Sequence, residues 1–267
     1  MIEIVALASG SNGNAAYVET GSARLLIDCG ISALQLEKRL RLFGRDARSI
    51  DAILVTHDHL DHVAGIRALA RRHRLRVLLN EPTLVNARTC LRGVHTVEVF
   101  PTGEHREVGA TVIRSVPVSH DAAESVGYVI ESEGVAAGIF TDLGVATQEV
   151  EREVSRVDAL VLETNHDLDR LMTGRYPEEL RSRVASDLGH LSNRQAADLV
   201  RAHAAPRLRH LLCAHLSAEN NTPSLVTDEL ERALGTRQDL ETHVHLTSRH
   251  APSPWIRVEA SPVGASR

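Results

Sequence analysis

The segment Thr56-His57-Asp58-His59-Leu60-Asp61-His62 decides how this chain is read. It follows the apolar run Ala52-Ile53-Leu54-Val55, which reads as a buried strand, and precedes the pattern Ala64–His73, which reads as an amphipathic helix. A metal-hydrolase centre needs neutral imidazoles and carboxylates that converge from a rigid base. Three histidines and two aspartates in the six residues from His57 to His62, at a strand end, meet that need. In an extended or tightly turned segment His57 and His59 point to one side, and Asp61 and His62 then turn toward a second ion. The competing reading is a polar turn that happens to be rich in histidine. The density of metal-binding side chains counts against it.

Outward from this segment the chain is ordinary. Its 267 residues are 43% hydrophobic and 24% charged, which excludes disorder and fibrous repeats as global readings. Residues 1–259 are expected to form one α/β domain, with a frayed tail over 260–267. No apolar run approaches the roughly 18 residues of a membrane helix, so no membrane contact is expected. The start of the chain lacks the basic region of a signal peptide. Cys29, Cys90 and Cys213 are far apart, which excludes a disulfide framework and a thiolate zinc site and fits a reducing cytoplasm. A net charge of −5 does not support a generally basic nucleic-acid surface. The abnormal number is 15 histidines. Of these His73, His95, His105, His203, His210, His243, His245 and His250 lie outside any motif and read as surface or structural.

The patterns predict strands over Ile2–Ala8, Leu25–Asp28, Ala52–Thr56, Val77–Asn80, Thr96–Phe100, Thr111–Val118, Gly127–Glu131, Ala136–Thr141, Ala159–Glu163 and Leu208–Ala214, with a closing strand near Trp255–Val258. Helices are predicted over Ala33–Leu42, Ala64–His73, Asn193–His203 and Pro223–Leu234. Ser192 with Gln195 reads as a capping box, and Thr222-Pro223 as an N-cap with proline at the first helical position.

The histidine-rich segment resembles the HxHxDH signature of the metallo-β-lactamase superfamily. That resemblance implies an αββα four-layer sandwich holding two divalent metal ions, zinc or manganese. It also implies further ligands at later strand ends, and His120, Asp142 and His215 follow in the family's order. Carried over position by position, His57, His59 and His120 would hold one ion. Asp61, His62 and His215 would hold the other, and Asp142 would bridge them. Asp28 would orient the metal loop through hydrogen bonds without ligating. A hydroxide bridging the ions would be the nucleophile, with Asp61 helping to orient it.

Fold alone does not choose a reaction. Gly189-His190-Leu191-Ser192-Asn193 precedes a helix, where ribonucleases Z and J carry a similar histidine, and His190 is the candidate general acid. Ser9-Gly10-Ser11-Asn12-Gly13-Asn14 offers a small-residue loop, with Ser11 and Asn12 as phosphate contacts; a plain tight turn is the alternative. His166 in Glu163-Thr164-Asn165-His166-Asp167, Arg175 in Gly174-Arg175-Tyr176-Pro177, and Asn220 in Leu216-Ser217-Ala218-Glu219-Asn220-Asn221 are further candidates for substrate contact. Together with the metal motifs these segments look like the small bacterial YycJ/WalJ-type metallohydrolases, a nuclease-like branch. Thr164, where serine is expected, departs from that pattern but keeps the hydroxyl. The resemblance implies metal-dependent phosphodiester hydrolysis, with DNA exonuclease activity favoured and a nucleic acid as partner. Arginines suit phosphate: Arg67, Arg71, Arg72, Arg74 and Arg76 follow the metal loop, and Arg175, Arg181 and Arg183 flank Tyr176. Lys38 is the only lysine, and aromatics are 3%, which leaves few platforms for base stacking. A thioesterase or glyoxalase-type hydrolase is the enzymatic rival and needs no proton donor at His190. A non-catalytic regulatory protein of the same fold is the other rival, and it would not need a complete ligand set.

Overall fold

The computed structural model describes residues 1–260, so all of the expected tail but Ala260 lies outside the described residues. Strands β1 (Ile2–Ala8), β2 (Ala15–Thr20) and β3 (Arg24–Ile27) pair antiparallel, and β4 (Ala52–Leu54), β5 (Arg76–Leu79) and β6 (Thr96–Val99) extend the sheet in parallel. The second sheet repeats the scheme. Here β7 (His105–Val108), β8 (Thr111–Pro117), β9 (Val126–Ser132) and β10 (Val135–Phe140) are antiparallel, and β11 (Ala159–Glu163), β12 (His210–Ala214) and β13 (His243–Leu246) are parallel. Strand β14 (Ile256–Val258) returns to pair with β1, so each sheet has seven strands. The sequence shows no repeat, yet the two halves share one topology.

The layers follow from which faces are apolar. Ile4, Val18, Leu25 and Leu54 of the first sheet meet Ile113, Ile130, Val161 and Leu212 of the second in the central layer. Helices α1 (Ala33–Arg41), α2 (Leu60–Val63), α3 (Ile66–His73) and α4 (Glu81–Ala87) belong to the first half of the chain; Leu36, Leu40, Ile66 and Leu69 cover Leu26, Ile53 and Val77. In the second half come α5 (Gln148–Val154), α6 (Leu168–Thr173), α7 (Glu178–Val184), α8 (Asn193–His203) and α9 (Pro223–Leu234), and Val150, Val200 and Leu230 cover Leu160 and Leu211. The result is the αββα sandwich. Strands buried on both faces carry continuous apolar runs, which is why they were readable.

The predicted capping box at Ser192 and Gln195 is present, and Thr222 caps α9 with Pro223 at its first turn. Three strands, β2, β7 and β13, and the helices α4 to α7 were not predicted. Helix α7 shows why: none of its residues is buried, so it carries no apolar stripe to detect. The metal loop also carries a helix that was not predicted: Asp61 and His62 lie on the single turn of α2, and the helical pattern read as starting at Ala64 begins at Ile66.

That loop is pinned by backbone hydrogen bonds. Asn14 N–H donates to Asp61 O (2.7 Å), Cys29 N–H to His62 O (2.8 Å) and Gly65 N–H to Cys29 O (2.7 Å). Gly30 sits so close beneath it that a Cβ would lie 1.6 Å from the Asp61 carbonyl oxygen. Gly30→Ala therefore forces the Asp61 backbone to move, and the cost is expected to be about 3 kcal/mol, the upper end for overpacking. Urea unfolding of the two proteins checks it; an unchanged midpoint would refute the close approach.

Candidate metal centre

Every side chain expected at the centre sits just past a strand end or on the loop that follows. His57 and the loop to His62 follow β4, and His120 follows β8. Asp142 follows β10, and His215 follows β12. Two of these ends, and the end of β3, share an unusual backbone: Asp142 (φ 59°), His215 (φ 58°) and Asp28 (φ 61°) are left-handed. Non-glycine residues rarely take that conformation, and where they do, surrounding structure must hold them there. Leaving the strand in this way turns each side chain out of the alternating pleat and into the cleft.

The structure brings the seven expected ligands together. His57, His59 and His120 form one group whose candidate donor atoms all lie within 4.8 Å of one another. Asp61, His62 and His215 form a second, and His57, His62 and Asp142 a third that links them. Asp142 Oδ2 lies 3.2 Å from His62 Nε2, and its Oδ1 lies 3.3 Å from His215 Nδ1.

The hydrogen bonds sort the imidazole nitrogens. His62 Nδ1–H donates to Asp28 Oδ2 (2.8 Å), His120 Nδ1–H to the Gly189 carbonyl (3.0 Å) and His215 Nδ1–H to Glu163 Oε1 (2.8 Å). His57 Nδ1 is 3.0 Å from the Thr56 hydroxyl. In each ring Nδ1 is tied back into the protein, which leaves Nε2 as the atom a cation would find. Nε2 of His57 and Nε2 of His215 are buried with no hydrogen-bond partner at all. Buried polar atoms are seldom left orphaned, since each such atom costs about 1–3 kcal/mol. A divalent cation satisfies them, and the histidine–carboxylate donor set suits zinc or a similar ion.

Electrostatics point the same way. Burial pushes the Asp142 carboxyl up, but the His215 and His62 imidazoles outweigh it and hold Asp142 well below the ordinary carboxylate range. Burial opposes charge on His215, yet Asp142, Asp61 and Glu163 lift it to about 10. Cation-free, His62 and His215 favour protons that a cation must displace, while burial lowers His57 and His120. Asp28 accepts from the Thr56 N–H (2.8 Å), the Thr56 hydroxyl (2.8 Å) and His62. Asp28→Asn, which tolerates the left-handed backbone at φ 61°, should weaken metal binding by about 10–100-fold. Titration with Zn²⁺ against a competing chelator checks it, and wild-type affinity in the variant would remove the orienting role.

Sequence reasoning missed Glu163. This carboxylate is fully buried. Its Oε1 accepts from both His190 Nδ1 (2.8 Å) and His215 Nδ1 (2.8 Å). Its Oε2 accepts from the backbone N–H groups of Leu143 (2.9 Å) and Leu191 (3.3 Å). Burial raises its pKa, but the two imidazoles prevail and hold it at about 2. Burial likewise opposes charge on His190, and Glu163 outweighs it and raises the pKa. His190 Nδ1 is 3.7 Å from Asp142 Oδ1, and the side chain keeps 21% of its surface open to solvent. A carboxylate closing a strand beside two metal-type motifs was the available signal. Asn14 was also missed as a functional residue: its Nδ2 lies 3.2 Å from Asp61 Oδ2.

The substrate candidates divide. Ser11, Asn12 and Arg175 are exposed. His166 and Asn220 are 1% and 2% exposed, so neither presents its side chain to solvent. Their backbones instead tie loops together: Asn193 N–H donates to His166 O (2.8 Å) and Asp167 N–H to Asn220 O (2.9 Å). The Ser9–Asn14 loop is tied into the centre as well, since Ser9 Oγ accepts from His215 N–H (2.7 Å). Arg183 is engaged by Asp121 (2.5 Å), and Arg72 by Glu37 (2.8 Å).

Comparison with known proteins agrees with this geometry. Residues 23–215 match the beta-lactamase superfamily domain. Exodeoxyribonuclease YycJ of Bacillus anthracis is 33% identical over 89% of this chain and 92% of its own length. Exodeoxyribonuclease WalJ of Streptococcus pneumoniae is 35% identical over 94% of this chain and 96% of its own. Among solved structures, the metallo-beta-lactamase fold protein YhfI of Bacillus subtilis superposes with a TM-score of 0.70 at 16% identity, covering 94% of this chain and 98% of that one. Zn²⁺-bound PqqB of Methylobacterium extorquens also gives 0.70, at 17% identity over 96% of this chain and 100% of that one. Among the described residues no helix is long and apolar enough to cross a membrane. The sandwich, the convergent histidines and aspartates, and likeness along nearly the whole length make one conclusion: this chain belongs to the metallo-β-lactamase superfamily, as a YycJ-type metal-dependent hydrolase of the nuclease or phosphodiesterase kind.

Proposed function

We propose that this protein is an exonuclease acting on DNA, with a dinuclear centre of zinc or manganese ions. The observation that carries the reading is one cleft holding two kinds of histidine. In four rings Nδ1 is anchored, and they converge on Asp142. One further ring, His190, keeps 21% of its side chain open to solvent, and Glu163 raises its pKa. A thioester needs no such acid, whereas the alkoxide leaving a phosphodiester does. The names carried by the YycJ and WalJ relatives support the same substrate class.

His57, His59 and His120 would hold one cation, Asp61, His62 and His215 the other, with Asp142 between them. Bound cations supply Lewis acidity and lower the pKa of water toward neutrality. Asp61, steadied by Asn14, orients the attacking water through a hydrogen bond. His190 donates its Nε2 proton to the leaving oxygen, while Glu163 fixes the ring and its charge. Ser11, Asn12 and Arg175 contact the phosphate backbone, and the buried His166 and Asn220 hold the loops around them. Backbone contacts of this kind make degradation largely insensitive to sequence.

The test is digestion of 5′- and 3′-labelled DNA and RNA by metal-stripped protein resupplied with zinc or manganese, beside a thioester substrate. Progressive shortening of DNA from one end, dependent on added metal, is expected. Thioester cleavage without DNA degradation would overturn the assignment, as would a failure to retain any divalent ion.

A further inference from the structure

Three histidines outside the cleft form a cluster of their own. His210 begins β12, and His243 and His245 lie two residues apart on the neighbouring edge strand β13. The parallel register sets His243 opposite His210 and His245 opposite Leu212. Side chains two apart on a strand share a face, so all three imidazoles lie on the face that carries Leu212 into the central layer, at its open rim. The rings gather there: His210 lies 5.4 Å from His243 and 5.4 Å from His245, centroid to centroid.

The contact between His210 Nδ1 and His245 Nε2, at 3.1 Å, is the informative one. Two imidazole nitrogens on one metal ion, each about 2.0–2.1 Å from it, stand about 2.9–3.4 Å apart, depending on square or tetrahedral geometry. The pair already has that spacing. His243 is exposed and stacked on His210, and its side chain must move to supply a third nitrogen. Burial and the neighbouring imidazoles push the pKa of His210 down, and burial and His243 do the same to His245. Both rings are therefore less basic than a free imidazole, and a change of tautomer within their Nδ1···Nε2 hydrogen bond frees both nitrogens for an ion. His210 and His243 line an open hollow of about 620 Å³, through which an ion enters from solvent.

We infer that His210, His243 and His245 form a separate binding site for a divalent transition-metal ion that favours imidazole nitrogen: copper, nickel or zinc. It is remote from the hydrolytic centre. His210 and His215 occupy opposite ends of β12, about 16 Å of extended chain apart. Glu241 lines the same hollow but is paired with Arg209 (3.2 Å), and an all-imidazole donor set selects against magnesium, calcium and manganese, which prefer oxygen. The inference does not depend on the proposed nuclease activity.

The test counts metal ions. Metal-stripped full-length protein is titrated with Zn²⁺, and bound metal is measured after desalting. The wild type should hold one equivalent more than His210→Gln and one more than His245→Gln. A His57→Ala/His59→Ala variant should keep that equivalent. Equal stoichiometry in the wild type and the two glutamine variants would overturn the site. A measurement on the unsubstituted protein covers the case of a variant that does not fold. Zn²⁺ titrated into the metal-stripped unsubstituted protein should shift the ring resonances of His210, His243 and His245. Rings that stay unshifted at saturating Zn²⁺ also overturn it.

Discussion

Asp142→Asn is expected to lower phosphodiester hydrolysis about a thousandfold, the scale found when one preorganised electrostatic group is removed from a reacting centre. The substitution is clean because asparagine, like aspartate, tolerates the left-handed backbone found here at φ 59°. It therefore removes charge without adding strain, which Asp142→Ala would not. The charge is the point. Asp142 is 2% exposed and has His62, His215 and His190 within 4 Å, so its carboxylate is the central negative group of the pocket. Bound metal should fall as well, by at least one equivalent after desalting. Full activity with wild-type metal content would remove Asp142 from the centre and with it the dinuclear account.

His190→Ala is expected to slow hydrolysis about a hundredfold or more, the usual range for a lost general acid, while metal content stays at the wild-type level. The second readout is needed because His190 also groups with Asp142, Glu163 and His215 within 4.8 Å, a spacing a ligand would share. Loss of metal would make it a ligand instead of an acid. Glu163→Gln separates the two further. Without the carboxylate 2.8 Å from Nδ1, only the more distant Asp142 lifts the His190 pKa against burial. The acid then loses its proton at lower pH, so the alkaline limb of the pH–rate profile should move to lower pH. A profile that keeps its position while the rate falls would mean that Glu163 acts through His215 alone.

The sequence by itself determined the α/β class and, through its family resemblance, pointed to the αββα sandwich and to seven of the side chains that the structure brings together. Strands covered on both faces carry unbroken apolar runs, so most of them were legible, and Ser192 with Gln195 announced α8 through local hydrogen bonding. The dense run from His57 to His62 announced its chemistry because its side chains are neighbours in the chain. Tertiary structure decided what depends on contacts between distant residues. Glu163 is a carboxylate like any other in the sequence. Only the meeting of β11 with β12 and the Gly189–Ser192 turn makes it the anchor of two histidines. The left-handed backbone at Asp28, Asp142 and His215 was equally invisible: aspartate and histidine tolerate it better than most residues, but the surroundings hold them there. His210, His243 and His245 read as scattered surface histidines. Parallel pairing of strands more than thirty residues apart, His210 with His243, is what stacks them. Periodicity and motifs report on neighbours along the chain; register and strand order report on neighbours in space, and the chemistry of both histidine clusters is set by the second.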